Sequence, residues 1–160
     1  MRIYFSSLED FSLMSAQRTH ILELARNFSK LGNEVHVFAR NVGPLKSHVE
    51  GLVFHNISGI NMKKLSQVSC TLYSIAKMLM LSLRSKPQVI YERHCLFDPR
   101  IFLAKLLRVP ILLEVNGLMI DEERMAGINA HFKLKFTFEK FAFHNVELIT
   151  SVTLYIKNEL

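Results

Sequence analysis

The first forty residues switch between strand-like and helix-like spacing of apolar positions. "RIYFS" is a short apolar run near the start, and in "NEVHVFAR" apolar residues alternate as in a strand. Between these runs, apolar residues recur at helical spacing, at Ile21, Leu24, Ala25, Phe28 and Leu31. Ser15 precedes this segment as a candidate N-cap and Gly32 closes it. Residues 2–40 therefore predict a strand, a helix and a second strand, and the crossover predicts that the strands are parallel.

The same alternation continues along the rest of the chain. "LVFHNI", "QVIYE", "PILLEV" and "VELIT" are strand-like, and helical segments are predicted from about Met62 to Ser85 and in "FDPRIFLAKLL". Strands that alternate with helices at this spacing predict an α/β fold with a doubly wound, mainly parallel sheet and helices on both faces. Residues 1–160 are predicted to form one Rossmann-like domain.

The segment "HFKLKFTFEKFAFH" fits two patterns. Its strict alternation is typical of an amphipathic strand, but we interpret it as a helix with two apolar stripes. One stripe holds Phe132, Phe136 and Phe143, and the other holds Leu134, Phe138 and Phe141. Two alternatives follow: the helix is buried on both sides, or one side meets a partner or an anionic membrane. The second alternative assigns that surface to Phe132, Lys133, Lys135, Phe136 and Lys140.

Composition adds a preference for anionic partners. The chain is 49% hydrophobic and 21% charged, with a formal net charge of +6, which favours phosphates, acidic lipids or nucleic acid. Its two cysteines, Cys70 and Cys95, form no C-x-x-C pair, so we expect a reducing, cytoplasmic location, including the inner face of the membrane. The most apolar window, "CTLYSIAKMLMLSL", falls short of the roughly 20 residues that a membrane span needs, which favours a buried or interfacial helix.

In an open parallel sheet, ligands bind at the carboxyl ends of the strands. The residues predicted there carry hydroxyls, guanidinium groups, carboxylates and an amide, at Ser6, Ser7, Arg40, Glu92, Arg93, Glu114, Asn116 and Thr150. Asn116 is suited to orienting a hydroxyl group, although the Asn-Gly pair also suits a simple turn. No metal-binding or Walker spacing is present, so we expect no metal.

Several classes of function are disfavoured. A nicotinamide dehydrogenase needs a glycine-rich turn after the first strand, but "SSLEDFSLMSAQ" has no glycine, and Arg40 replaces the ribose-binding acid. A phospho-receiver domain needs an aspartate after the third strand, and "LVFHNISG" has none. Nucleic-acid binding rests on charge alone, without a recognition motif, so no nucleic acid is expected.

Four stretches together resemble the N-terminal domain of family 4 retaining glycosyltransferases, which have the two-domain GT-B fold. They are His20 before "LARNFSKLGNEVHVFA", then "VIYERH", "PILLEVNGLMIDEE" and "VELITSVTLYIKNEL". Taken in this order, the four stretches extend over nearly the whole chain. In this family the N-terminal domain receives the acceptor, and the C-terminal domain holds the nucleotide-sugar. The resemblance implies that the donor-binding domain is absent from these 160 residues, which would be inactive alone.

The resemblance also implies site residues. Asn116 stands where many relatives have a histidine that approaches the transferred sugar, so it is the candidate catalytic position. His20 matches the family histidine, with a surface or capping role as the alternative. The other candidate acceptor-binding residues are Arg93, Glu114, Gly117, Glu122 and Glu123. A surface ion pair is the alternative for Arg93, and a helix-dipole role is the alternative for Glu122 and Glu123.

The resemblance thus predicts the acceptor-binding half of an enzyme that transfers a sugar from a nucleotide-sugar donor to a glycan or lipid-linked acceptor. The donor is a co-substrate and no cofactor is expected. The donor domain would be supplied in cis or in trans. The alternative is a non-catalytic Rossmann-like module that binds a partner subunit or an anionic membrane surface.

Overall fold

The computed structural model describes most of the chain, namely residues 1–43, 49–59, 66–93, 99–117, 125, 127 and 132–151. The side chains of residues 66, 67 and 132–135 lie outside this description. Six strands and four helices are defined within it, and strands alternate with helices except that no helix is defined between the second and third strands. They are β1 (Arg2–Asp10), α1 (Ala16–Lys30), β2 (Glu34–Arg40), β3 (Leu52–Ile57), α2 (Ser66–Arg84), β4 (Val89–Arg93), α3 (Arg100–Leu107), β5 (Ile111–Val115), α4 (Phe132–His144) and β6 (Leu148–Ser151).

The six strands form one parallel sheet in the order β3-β2-β1-β4-β5-β6. The predicted α/β class is confirmed, and the direction of the chain along the sheet reverses between β1 and β4. In parallel sheets with this order, ligands bind outside the carboxyl ends of the strands near the reversal. The ends of β1, β4 and β5 are therefore where a site is expected.

Helices cover both faces of the sheet. Ile21, Leu22 and Ala25 of α1 pack on one face, against a cluster that includes Phe5 and Val37. On the opposite face α2, α3 and α4 pack side by side, with Met78, Ile101 and Ala142 in one cluster. Because successive strand residues point to opposite faces, each central strand contributes apolar side chains to both clusters.

The helical interpretation of residues 132–144 is correct, but burial follows neither of the two expected stripes. Phe141 and Phe143, which come from different stripes, both pack against the core beside Ala142. Phe136 and Phe138, also from different stripes, are 42% and 38% exposed. Among the described side chains of this helix, Glu139 and Ala142 are the buried ones and lie three residues apart, so the most buried side lies between the two expected stripes.

Candidate functional site

The connection from β1 to α1 replaces a glycine-rich turn with a strand extension held by side chains. Strand β1 continues to Asp10, beyond the apolar run, with an irregular register between Ser6 and Asp10. Asp10 accepts hydrogen bonds from the backbone N–H and hydroxyl of Ser12, at 2.9 and 2.6 Å, and from Asn41 at 2.8 Å. Ser12 and Asn41 together hold the pKa of Asp10 below its usual value. The segment is thus fixed by protein contacts.

Helix α1 begins as its sequence predicts. The Ser15 side chain accepts a hydrogen bond from the Arg18 backbone N–H at 3.0 Å, which satisfies one of the free amides at the helix start. His20 lies one turn further along, on the side of α1 that faces the carboxyl ends of the strands. Its side chain is about half exposed, 49%, so it contacts both the protein and the solvent.

Glu114, near the end of β5, joins three candidate residues in one hydrogen-bond network. Its side chain is buried, with 4% exposure. One carboxylate oxygen accepts the Tyr91 hydroxyl at 2.5 Å and lies 3.2 Å from His20 Nε2. The other oxygen accepts the Asn116 side-chain amide at 2.6 Å. The structure therefore brings together His20, Glu114 and Asn116, three residues that the sequence analysis singled out separately.

These contacts keep Glu114 ionised. Burial alone would raise its pKa, but donation from Tyr91 and Asn116, together with the charge and hydrogen bond of His20, outweighs burial and holds the pKa below the usual value. The effect on Tyr91 is opposite. Burial first, and then its bond to the Glu114 carboxylate, raise the Tyr91 pKa well above its ordinary range. Tyr91 is thus the donor and Glu114 the acceptor in the hydrogen bond between them.

An ionised Glu114 fixes which atoms its neighbours present to a ligand. A carboxylate only accepts hydrogen bonds, so Asn116 must turn its NH₂ toward Glu114, which leaves its carbonyl oxygen as an acceptor. For the same reason His20 carries a hydrogen on Nε2, and in the neutral ring Nδ1 is then the acceptor. The site can therefore offer two acceptor atoms to hydroxyl groups. A protonated His20 would instead attract an anion.

The other predicted residues lie at different distances from this network. Arg93 ends β4, is paired with Glu114 in the strand register, and contributes positive charge near Tyr91. Gly117 follows Asn116 directly and is half-buried. Glu122 and Glu123 lie outside the described residues.

The surface predicted on α4 is described in part. Phe136 and Lys140 are exposed, and the Lys140 ammonium lies 4.6 Å from the Phe136 ring centre. For Phe132, Lys133 and Lys135 the structure describes the helical backbone only.

The sequence analysis did not identify Tyr91 as a candidate site residue, because it assigned Tyr91 only to a strand. Its ring stacks on Phe5 with centres 4.4 Å apart, and a hydrogen bond also links its hydroxyl to Thr150. The alternation of side chains along a strand could have identified Tyr91. Tyr91 and Arg93 share a face of β4, and Arg93 is paired with Glu114. A polar aromatic side chain on that face was positioned to reach the same ligand edge.

A second polar cluster lies on the opposite face of the sheet at the same edge. Arg100, the first residue of α3, pairs with Glu92 of β4 at 2.5 Å and donates to the Ser6 hydroxyl at 2.7 Å. Glu92 and Arg100 are both almost fully buried. This cluster ties β1, β4 and α3 together beneath the site, and it was not anticipated because Arg100 was read only as a helix residue.

Within the described ranges, no group of three or more His, Cys, Asp or Glu side chains is arranged to hold a metal ion. The network around Glu114 is made of one carboxylate and its hydrogen-bond partners.

Comparison with solved structures places this fold among halves of GT-B enzymes. MurG of Acinetobacter baumannii matches with a TM-score of 0.58 and 13% identity over 95% of this chain and 41% of that protein. The glycosyltransferase SnogD from Streptomyces nogalater matches with a TM-score of 0.57 and 15% identity, over 96% and 43%. SsfS6 from Streptomyces sp. SF2575, complexed with thymidine diphosphate, matches with a TM-score of 0.52 and 18% identity, over 72% of this chain and 38% of that protein. The chain spans about two fifths of the length of each.

The sequence family is also defined. The model of Glycosyltransferase Family 4 matches residues 17–160, so the chain belongs to that family. Among curated protein sequences, none matches this chain significantly. The predicted GT-B, Rossmann-like glycosyltransferase domain is therefore confirmed at the level of family and fold.

Proposed function

We propose that this chain is the acceptor-binding half of a glycosyltransferase that moves a sugar from a nucleotide-sugar onto a glycan or a lipid-linked acceptor. The observation that carries the proposal is the network in which buried Glu114 holds His20 and Asn116 at the carboxyl edge of the sheet. Family membership supports sugar transfer as the chemistry. The thymidine diphosphate in the SsfS6 structure supports a nucleotide-linked donor.

The acceptor hydroxyl would bind between His20 and Asn116. Asn116 Oδ1 accepts the hydroxyl hydrogen and aims the oxygen toward the sugar. When its ring is neutral, His20 provides a second acceptor through Nδ1. Asparagine cannot carry a proton near neutral pH, so its role is orientation. Arg93, at the neighbouring strand end, is available to a phosphate of the donor or of a lipid-linked acceptor.

The donor half would close over this edge from another domain, in cis or in trans. The intact mass of the native polypeptide distinguishes the two arrangements. A mass about twice the 18.5 kDa of these residues supports a single-chain enzyme. A mass of 18.5 kDa contradicts the single-chain enzyme and points to a separate donor subunit or to a binding role. We propose a cytoplasmic location for the reaction, including the inner face of the membrane.

Transfer assays on the native polypeptide test the proposal. UDP-, GDP- and dTDP-sugars are supplied with lipid and glycan extracts, and release of nucleoside diphosphate is measured. We expect Asn116→Ala and Arg93→Ala to reduce transfer by at least about tenfold, as loss of one charged hydrogen bond would. Asn27→Ala and Arg26→Ala, which alter residues on α1 outside the network, are the controls. Transfer that survives both site variants would show that these residues do not serve the reaction, which favours the alternative that this domain is a non-catalytic module of the assembled enzyme.

A further inference from the structure

Helix α2 carries an apolar stripe on its outer side. Its inner side packs on the sheet through Cys70, Ser74 and Met78, which are buried. The residues on the outer side recur every three or four positions, which places them in one line: Val68, Leu72, Ala76, Met80 and Leu83. Met80 and Leu83 are 63% and 80% exposed. The sequence predicted a buried or interfacial helix for this segment, and in the structure one face of the helix is exposed to solvent.

Only positive charges accompany the stripe. No Asp or Glu occurs between Glu50 and Glu92, and this stretch contains five Lys and Arg residues. Lys77 and Arg84 lie on α2 beside the stripe, and Lys86 follows the helix. The Lys77 ammonium is 5.6 Å from the Tyr73 ring centre, an arrangement of aromatic and cationic groups that suits a lipid headgroup layer. The charge of this surface complements an anionic one.

A cavity opens at the end of the stripe. It has a volume of about 420 Å³ and is lined by His55, Lys77, Met80, Leu81, Leu83 and Arg84. The lining combines apolar side chains with the cationic side chains of Lys77 and Arg84. Such a lining suits a molecule with a hydrocarbon part and an anionic head.

The stripe ends far from the proposed catalytic edge. Just beyond α2, the Ser85 carbonyl accepts the Tyr4 hydroxyl at 2.7 Å, and the Gln88 N–H donates to the Arg2 carbonyl at 2.9 Å. Arg2 begins β1, so the last turn of α2 lies at the amino ends of the strands. A donor domain that closes over the carboxyl ends leaves this part of the stripe uncovered.

The neighbouring helix continues the surface. On α3, Phe102 and Leu106 are four residues apart and are both exposed. Lys105 lies between them, with its ammonium 5.5 Å from the Phe141 ring centre. None of the described helices is long and apolar enough to cross a bilayer, so contact through this layer would be made at the surface.

We propose that the outer faces of α2 and α3 dock this protein on an anionic phospholipid bilayer. The apolar side chains enter the boundary between headgroups and acyl chains, and Arg84 contacts lipid phosphates. Lys77 and Lys105, whose ammonium groups donate to the Asn56 carbonyl and to Asn145 Oδ1, add positive charge to this surface. Neither the stripe nor its cations belong to the Glu114 network, so this docking is independent of the chemistry of sugar transfer.

Co-sedimentation with vesicles tests the apolar contribution. The protein is mixed with phosphatidylcholine vesicles that contain or lack phosphatidylglycerol, and the bound fraction is measured. The wild type is expected to bind only the anionic vesicles, and Met80→Glu/Leu83→Glu to lose at least about tenfold in partition coefficient. Leu31→Glu is the matched control for Leu83→Glu alone, because Leu31 is 76% exposed at the end of α1, on the other face of the sheet. All three side chains are exposed, and circular dichroism verifies that each variant folds.

Two charge-reversal variants test the electrostatic contribution in the same assay. Arg84→Glu removes a cation from the last turn of α2 and is expected to weaken binding by about fivefold or more. Lys30→Glu makes the same change in the last turn of α1, with the same helix-dipole cost, and is expected to bind as the wild type does. Wild-type protein that ignores anionic vesicles, or stripe variants that still bind, would overturn the proposal. A wild-type dimer that Leu83→Glu dissociates would assign the stripe to a second copy instead.

Discussion

His20 Nε2 lies 3.2 Å from Glu114 Oε2, although 94 positions separate the two residues in the chain. The contact joins the first helix to the fifth strand at the carboxyl edge of the sheet. Because Glu114 also binds Tyr91 and Asn116, a single buried carboxylate holds three polar side chains at this edge. Its hydrogen-bond partners therefore have measurable effects on stability as well as on chemistry.

Tyr91→Phe should destabilise the protein while leaving its packing intact. The ring would still stack on Phe5, but Glu114 would lose a buried donor. A hydrogen bond to a buried charge contributes about 2 kcal/mol, so we expect a loss of that size in the free energy of unfolding. Urea denaturation measures it. Tyr73→Phe removes a hydroxyl from an exposed tyrosine and should change little; equal effects of the two substitutions would argue against the network.

The buried pair of Glu92 and Arg100 should show strong coupling. Arg100→Leu leaves Glu92 charged and enclosed, which costs about 3–5 kcal/mol. The double variant Glu92→Leu/Arg100→Leu removes both charges and should recover most of that loss. A double-mutant cycle by chemical denaturation compares them. If the effects of the two single substitutions simply add, the pair does not act as a unit.

Acid should weaken the opposite, amino-terminal edge of the sheet through Glu34. Donation from Arg2, and then from His36, lowers the pKa of Glu34 to about 2. The unfolded chain binds this proton near the usual carboxyl pKa, so the stabilisation is complete above that value and is lost as the pH falls toward 2. Urea midpoints at successive pH values below neutrality should therefore fall less steeply for Glu34→Gln than for the wild type.

Glu23→Gln is the control for this acid effect. Glu23 forms only an exposed pair with Arg26 on α1, so its variant should follow the wild-type pH profile. A Glu34→Gln profile that matches the wild type would show that the contacts of Glu34 with Arg2 and His36 do not stabilise the fold.

Much of the fold could be predicted because its signals are local. Ser15 caps the start of α1 and Gly32 follows its end, so both ends of this helix are marked by residues in the local sequence. The rule that ligands meet the ends of parallel strands was enough to select Glu114, Asn116 and Arg93 as candidates. Their roles at the site remain predictions.

Other features depend on tertiary packing and had no local signal. Arg100 is buried only because α3 lies over Glu92 and Ser6, which no spacing pattern reveals. Likewise, the two phenylalanine stripes of α4 are symmetric in the sequence, and the position of the helix over the sheet decides which rings are covered. The same holds for α2, whose apolar window predicts burial equally well on either side.

The most direct test of the acceptor site is the transfer kinetics of Glu114→Gln in the native polypeptide, with donor and acceptor varied separately. The substitution keeps the size of the side chain but removes the charge that orients His20 and Asn116. We predict that kcat/KM for the acceptor falls by roughly 10- to 100-fold, as loss of a charged hydrogen bond would, while KM for the donor is unchanged. An unchanged kcat/KM for the acceptor, or a loss confined to donor binding, would contradict the assignment of this domain as the acceptor-binding half.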